Sequence, residues 1–443
     1  MDRCYATARS QKKLILWWFN FEDSYQRAAG STLVDMPLDR LDVSLAADIA
    51  DLEQQGRAKA PERIINGYVA GVGTRGPRYT LEGRTGEFLR MNSNSYLSLS
   101  HHPALLHAAD EAARIFGTGP GAVRFIDGTS IHHVALEARI AAFTGRPAAK
   151  AFNSAYTTVL GTAITLSGPD TYWIGDALNH NCIIRAMRIA NIPSDRRAIF
   201  AHNDPADLAR CLDAVPDGVG RVIVIFDGIF SMRGDAAPLR DLLTVTAAHD
   251  ARFRDGVITM MDDSHGIGAY GATGRGTEEH AGGHVDIFIG TFGKAFGVNG
   301  GFVAGSPTLI EAVRQKADTY IYTNPLGAAD AAAAVAAIDI ADSAEGRERL
   351  TNLAARTTQF RVGLESLGLE SIPGPHPVVP LLVRSTDKVR AMVQGLFERG
   401  ILAVGLTFPV VPKGDETIRF QINAAHTEAD IAELLEALKD LTR

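Results

Sequence analysis

Short apolar runs, each followed by a polar turn and a longer stretch with helical spacing, dominate the middle of the chain. The apolar runs at 148–152, 171–174, 197–201, 221–226, 257–261, 285–290 and 301–304 predict strands, the 285–290 run with β-branched character. Their alternation with helical stretches predicts a mostly parallel sheet covered by helices on both faces. An alanine-rich helix is expected over about Ala328 to Ala341. Beyond it, helical stretches mix with short runs at Val378–Val383, Ala403–Leu406 and Thr417–Ile422, which predicts a small α/β domain. Ahead of the sheet, the pattern predicts a helix over Ser44 to Gln55, a hairpin over Tyr79 to Met91 closing at Glu82-Gly83, and helices over Pro103 to Phe116 and from near His132. The chain thus divides into an N-terminal extension and arm (1–98), a large domain (99–342) and a small C-terminal domain (343–443).

Composition narrows the function without changing this layout. A chain of 443 residues exceeds one compact core, and 46% apolar with 21% charged residues is ordinary for a globular protein. A net charge of −7 leaves no basic footprint for nucleic acid or an anionic membrane. Cys4, Cys182 and Cys211 are scattered, which argues against a disulfide framework or a metal knuckle and fits a reducing cytoplasm. The run Leu14 to Phe19 follows two lysines but is too short for a membrane span and lacks a small-residue cleavage site, so it reads as an extension.

The chemistry collects at strand ends. The 285–290 run breaks into Thr291-Phe292-Gly293-Lys294, with Gly297, Gly300 and Gly301 close behind. That puts a lysine at the carboxyl end of an inner strand, where open α/β sheets bind ligands. Such a lysine is drier than a surface one, which lowers its pKa towards a usable nucleophile and suits a Schiff-base lysine carrying pyridoxal phosphate (PLP). The alternative is a solvated loop lysine. The 257–261 run ends in Asp262-Asp263-Ser264-His265. Acids after an apolar strand need a positive partner, and the protonated ring nitrogen of PLP supplies one. A metal site is the competing reading, but no second cluster has ligand spacing, so none is assigned. Ser154 and its neighbours open a helix whose free N–H groups suit a phosphate, or Ser154 is a plain N-cap. His180 lies in the loop after 171–174, and Ser231 in the turn-rich DGIFSMRG after 221–226.

The chain resembles the α-oxoamine synthases, a group of fold-type-I PLP enzymes that includes 2-amino-3-ketobutyrate CoA ligase (glycine C-acetyltransferase). The likeness runs from about Tyr79 to the C-terminus and is carried by SNSYLSLSHHP (93–103), GAVRFIDGTSIHHVALE (121–137), DGIFSMRGD (227–235), DDSHGIGAYGATGRG (262–276), TFGKAFG (291–297) and FPVVPKGDETIRFQINAAHT (408–427). The VRFI-GT and PVVPKG pieces look closest to the ketobutyrate ligase branch. The resemblance implies a large domain with a mostly parallel seven-stranded sheet and a small C-terminal domain. It implies Lys294 as the Schiff-base lysine, Asp262 on the pyridine nitrogen, His265 on the phenolic oxygen and His180 stacked on the ring. Ser154, Ala155, Tyr156 and Thr291 would hold the phosphate, Ser231 would sit beside the ring, and Asn94 and Arg419 would face the amino acid. Thr323 would reach the phosphate of a partner subunit, because active sites in this group lie at a homodimer interface. The implied reaction is a decarboxylative condensation of a small amino acid, glycine favoured and serine or alanine as alternatives, with an acyl-CoA or a carrier-bound acyl thioester. An aminotransferase or decarboxylase on the same scaffold, or a PLP-binding module without activity, are the rival readings. The chain departs from the group at Ala155, where glycine is usual, at Ser98, and at Thr417.

Overall fold

The structure is a computed structural model that describes residues 37–408 and 411–442. The run Leu14 to Phe19 and Cys4 lie outside the described residues. By contacts the chain divides into two compact units, residues 1–62 and 63–443. The described part of the first holds one helix, Pro37–Gln54, which starts seven residues before the expected Ser44 and exposes Leu38, Leu41, Leu45, Ile49 and Leu52.

The second unit is built on strands β1 (Ile65–Val69), β2 (Arg78–Leu81), β3 (Leu89–Arg90), β4 (Ala148–Phe152), β5 (Thr171–Asp176), β6 (Arg197–Phe200), β7 (Arg221–Asp227), β8 (Val257–Asp262), β9 (Ile287–Thr291), β10 (Gly301–Gly305), β11 (Val378–Leu382), β12 (Ile401–Leu402), β13 (Val404–Leu406) and β14 (Thr417–Gln421). Seven of them form the main sheet in the order β4-β10-β9-β8-β7-β5-β6. All of its pairings are parallel except those of β10, which runs antiparallel to both β4 and β9. The fold-type-I arrangement expected from the sequence is therefore present.

Period-two alternation sorts the strand residues to opposite faces. Trp173, Ile223, Ile225, Met260, Ile287, Ile289 and Val303 pack into one core with the helices Ala155–Leu166, Asn181–Ile189 and Pro307–Lys316. Their neighbours Tyr172, Ile174, Val222, Val224, Phe226, Met261, Phe288 and Phe302 point into the other, against the helices Ile131–Thr144 and Ala328–Ala341. Full burial of one such aliphatic side chain contributes about 1.5–3 kcal/mol, so the two cores fix the register of every strand. The helix Ala328–Ala341 has the expected bounds. Its buried Ala331, Ala334 and Ala337 let the helix Pro103–Phe116 approach closely.

At the C-terminal end, β11-β14-β13 form an antiparallel sheet, the core of the small domain we propose for 343–443. The expected Tyr79–Met91 hairpin is only partly formed. Tyr79 and Phe88 exchange backbone hydrogen bonds at 3.0 and 2.8 Å. β2, however, pairs along its length with β1, and β3 pairs in parallel with β12. β1 has no periodic signal, because its residues are mostly exposed and interrupted by Gly67.

Candidate active site

Because β5, β7, β8 and β9 are parallel, their carboxyl ends open on one edge of the sheet. β10 runs the other way and begins there, Gly301 pairing with Thr291 and with Phe152. Asp227, Asp262 and Thr291 are the last residues of β7, β8 and β9, and Asp227 stands opposite Asp262 in register.

Lys294 sits in the loop joining β9 to β10 and is half-buried. Desolvation lowers its amine below the ordinary lysine value, opposed by the carboxylates of Asp262 and Asp227. Asp262 is buried, its Oδ1 accepting from Ser264 N at 3.0 Å, with the Cys182 thiol 3.8 Å from Oδ2. Asp263, the second acid of the pair, turns away. It accepts from Thr277 N at 2.8 Å and Thr277 Oγ1 at 2.6 Å, and burial pushes its carboxyl up to about 7. No group of three or more acids, histidines or cysteines with metal-binding geometry occurs among the described residues.

His265 is buried, and its Nδ1 lies 2.7 Å from Tyr96 Oη. Burial, then the charge of Lys294, lowers its imidazole well below the usual value, so the ring is neutral. Its carbonyl accepts from His376 Nε2 at 2.9 Å, while His376 Nδ1 accepts from Val378 N at 3.1 Å. The two bonds fix His376 as the Nε2–H tautomer, and burial takes its pKa to about 3.

His180 caps the helix Asn181–Ile189, Nδ1 accepting from Cys182 N at 3.3 Å. Its own N–H donates to Asp227 Oδ2 at 2.8 Å. The histidine expected in a loop is thus held at a helix start. Desolvation against the site floor lowers its imidazole, opposed by Asp262 and aided by Lys294. His202 bridges Asp176 Oδ1 at 3.0 Å and Asp235 Oδ2 at 3.1 Å, tying the loop after β7 to the end of β5.

Ser154 caps the helix Ala155–Leu166, its Oγ accepting from Thr157 N at 3.2 Å. The N–H groups of Ala155 and Tyr156 lie in the first turn, where a helix provides no acceptor. Ala155 lies within that helix and is not among the residues with positive φ, so alanine in place of glycine introduces no strain. Gly301 matters more: a Cβ there would collide with Ser154 and Ala155 backbone. Thr291 Oγ1 donates to Gly300 O at 2.9 Å and accepts from Gly293 N at 3.1 Å.

Arg419, on β14, donates from Nη1 to Ser231 O at 2.8 Å. With the Gln421 amide oxygen turned towards it, Gln421 accepts from Nε at 2.7 Å and Nη2 at 2.9 Å. One N–H on each terminal nitrogen is left over, a fork for a carboxylate. Asn94 lies near Tyr96, Oδ1 at 3.5 Å from Oη. Thr323 donates to Thr319 O. Among the described residues no hydrogen bond joins it to Lys294, and its expected place is on a partner subunit. The structure therefore gathers Lys294, Asp262, His265, His180, Thr291, Ser154 and Arg419 around one sheet edge. Sequence reasoning missed Asp227, Cys182, His376 and Gln421. Only Asp227 carries a signal, being an acid at the end of an apolar run like Asp262.

Residues 87–438 match the family model described as aminotransferase class I and II. The chain belongs to that family. Among relatives, the 8-amino-7-oxononanoate synthase of Geobacter metallireducens is 37% identical over 391 residues, covering 88% of this chain and 95% of the relative. That of Thioalkalivibrio sulfidiphilus is 38% identical over 396 residues, with 88% and 95% covered. Among solved structures, serine palmitoyltransferase from S. paucimobilis, with PLP bound, is 26% identical with a TM-score of 0.80, covering 92% of this chain and 98% of that one. Both names belong to the α-oxoamine synthases, and within its family this chain is an α-oxoamine synthase, a PLP-dependent enzyme of the acyltransferase type. Neither name is glycine C-acetyltransferase, so these likenesses support the group as a whole and not its ketobutyrate ligase branch. No helix among the described residues is long and apolar enough to cross a membrane.

Proposed function

We propose that the enzyme condenses a small amino acid, alanine, serine and glycine being the candidates, with an acyl thioester and releases the free thiol and CO₂. The observation that carries this reading is the meeting of Lys294, the buried strand-end carboxylate of Asp262 and the carboxylate fork of Arg419 on one sheet edge. Those residues fit PLP. The Asp262 carboxylate suits a protonated ring nitrogen, the first-turn N–H groups of Ala155 and Tyr156 with Ser154 and Thr291 suit the phosphate, and the absent side chain at Gly301 leaves that turn its shape. When bound, PLP supplies an electron sink for negative charge at the substrate's Cα.

The remaining work belongs to the chain. Arg419 grips the amino-acid carboxylate, with Asn94 and Ser231 flanking it, and so fixes which Cα bond faces Lys294. Lys294, its pKa lowered by desolvation, takes the Cα proton. Tyr96 holds the neutral His265 from its Nδ1 side and leaves Nε2 for the ring's phenolic oxygen. With Nδ1 of His180 occupied by Cys182 N–H, the proton lies on Nε2, where it can donate to the oxyanion that develops on the thioester carbonyl. The assembly we propose is a homodimer in which Thr323 completes the phosphate site of the partner.

The test is a thiol-release screen of glycine, alanine and serine against acyl-CoA and carrier-bound acyl chains of increasing length. Thiol release dependent on both substrates supports the condensation. Turnover of the amino acid without a thioester would favour an aminotransferase or decarboxylase instead.

A further inference from the structure

We infer that Asp227 is a positioning residue for His180 and that it acts as a hydrogen-bond acceptor, not as a charge. The inference rests on the reading of His180 as the imidazole over the cofactor ring. Two consecutive residues of the loop after β5 are fastened to the end of β7. Asn179 donates from Nδ2 to Ile225 O at 2.9 Å and accepts from Asp227 N at 3.2 Å through Oδ1. His180 N then donates to Asp227 Oδ2 at 2.8 Å. The ring itself is turned by Cys182, whose N–H lies 3.3 Å and whose thiol lies 3.0 Å from Nδ1. Asp227 thus sets the height of the residue and Cys182 sets the rotation of its ring.

The site's electrostatics explain why no charge is needed. Asp227 and Asp262 are both buried and stand opposite each other on neighbouring strands, with Lys294 as the cation facing both. Two like charges at that spacing in a dry site are costly, and a proton on one relieves the cost. Burial and the Asp262 carboxylate both push the Asp227 carboxyl well above its usual range. A protonated acid still offers its carbonyl oxygen to the His180 N–H, as an amide would.

The discriminating pair is Asp227→Asn, which keeps the acceptor, and Asp227→Ala, which removes it. The readouts are the dissociation constant for PLP added to the cofactor-free protein and kcat. Asp227→Asn should stay within about threefold of wild type in both, whereas Asp227→Ala should lose about tenfold or more, the value of a hydrogen bond left unmade in a buried site. In a His180→Ala background, where the backbone N–H contact persists but the imidazole it positions is gone, Asp227→Ala should add no further loss. Should Asp227→Ala fail to fold, Asp227→Leu keeps the volume without the acceptor and takes its place. Equal losses for Asn and Ala would overturn the inference in favour of a charge, and an undiminished Ala effect in the His180→Ala background would overturn it in favour of a role apart from His180. A His180→Ala variant that changes neither PLP affinity nor kcat would instead overturn the reading of His180 beneath it.

Discussion

Two buried clusters of charge in this molecule are built on opposite plans. Arg146 and Glu278 form a matched pair, Nη1 and Nη2 each reaching a carboxylate oxygen at 2.6 Å. Arg146 also donates to Thr144 O and Val285 O, and Glu278 accepts from Val285 N. At the sheet edge, by contrast, Asp227 and Asp262 share the facing charge of Lys294, and none of the three has a bidentate partner. Each plan suits a different purpose. Where both terminal guanidinium nitrogens and both carboxylate oxygens are answered within the fold, the charges lock structure. Where two buried acids face a single desolvated amine, the site is left to be completed by a cofactor and substrate.

Emptying the second cluster puts the most strain on this contrast. Lys294→Ala should lower turnover by at least about 10³-fold and abolish the borohydride-sensitive visible absorbance. Retained turnover would remove Lys294 from the chemistry. Arg146→Ala should leave the KM values alone but destabilise the protein by about 3–5 kcal/mol in denaturant titration, because it strands a buried carboxylate. A loss below about 1 kcal/mol would mean that the pair is not a lock. Arg419→Ala should raise the amino-acid KM by about ten- to a hundredfold with little change for the thioester, the range of a charged hydrogen bond. Parallel rises in both would deny it the carboxylate.

The mildest change is expected at His202. Burial pushes it down, but hydrogen bonds to Asp176 and Asp235 outweigh that and raise it to about 9. An imidazole in the unfolded chain titrates near 6.5, so the folded state holds the proton more tightly. The stabilisation is complete below about pH 6.5 and is lost as pH rises through about 9, a change on the order of 1–3 kcal/mol. His202→Gln should flatten stability across that window, as measured by melting at stepped pH. An unchanged slope would show that His202 does not carry it.

Much of this is legible in the sequence, and the parts that are not share a cause. Runs such as Val222 to Phe226 announce themselves because burial on both faces leaves no polar position. Ile65–Val69 does not, since its residues are mostly exposed and its pairing with β2 decides its conformation. Asp262 stands out through its place after an apolar run and the histidine that follows it. Asp227, in the same position one strand away, escapes notice because its partner is the backbone of a residue 47 positions earlier. His376 and Gln421 serve residues 111 and 2 positions away through contacts that only the folded chain creates.

One reversal of direction carries its own consequence. Since β10 returns antiparallel to β9, the segment bearing Lys294 is a hairpin loop, closed by Phe292 N to Gly300 O at 2.9 Å and Val298 N to Phe292 O at 3.0 Å. A lysine on a strand-to-helix turn is anchored on one side, whereas this one is tethered at both ends to rungs of the same ladder. Adding or deleting a single residue between Thr291 and Lys294 would therefore displace the amine from the acids at the neighbouring strand ends, which makes that spacing as strict a requirement as the lysine itself.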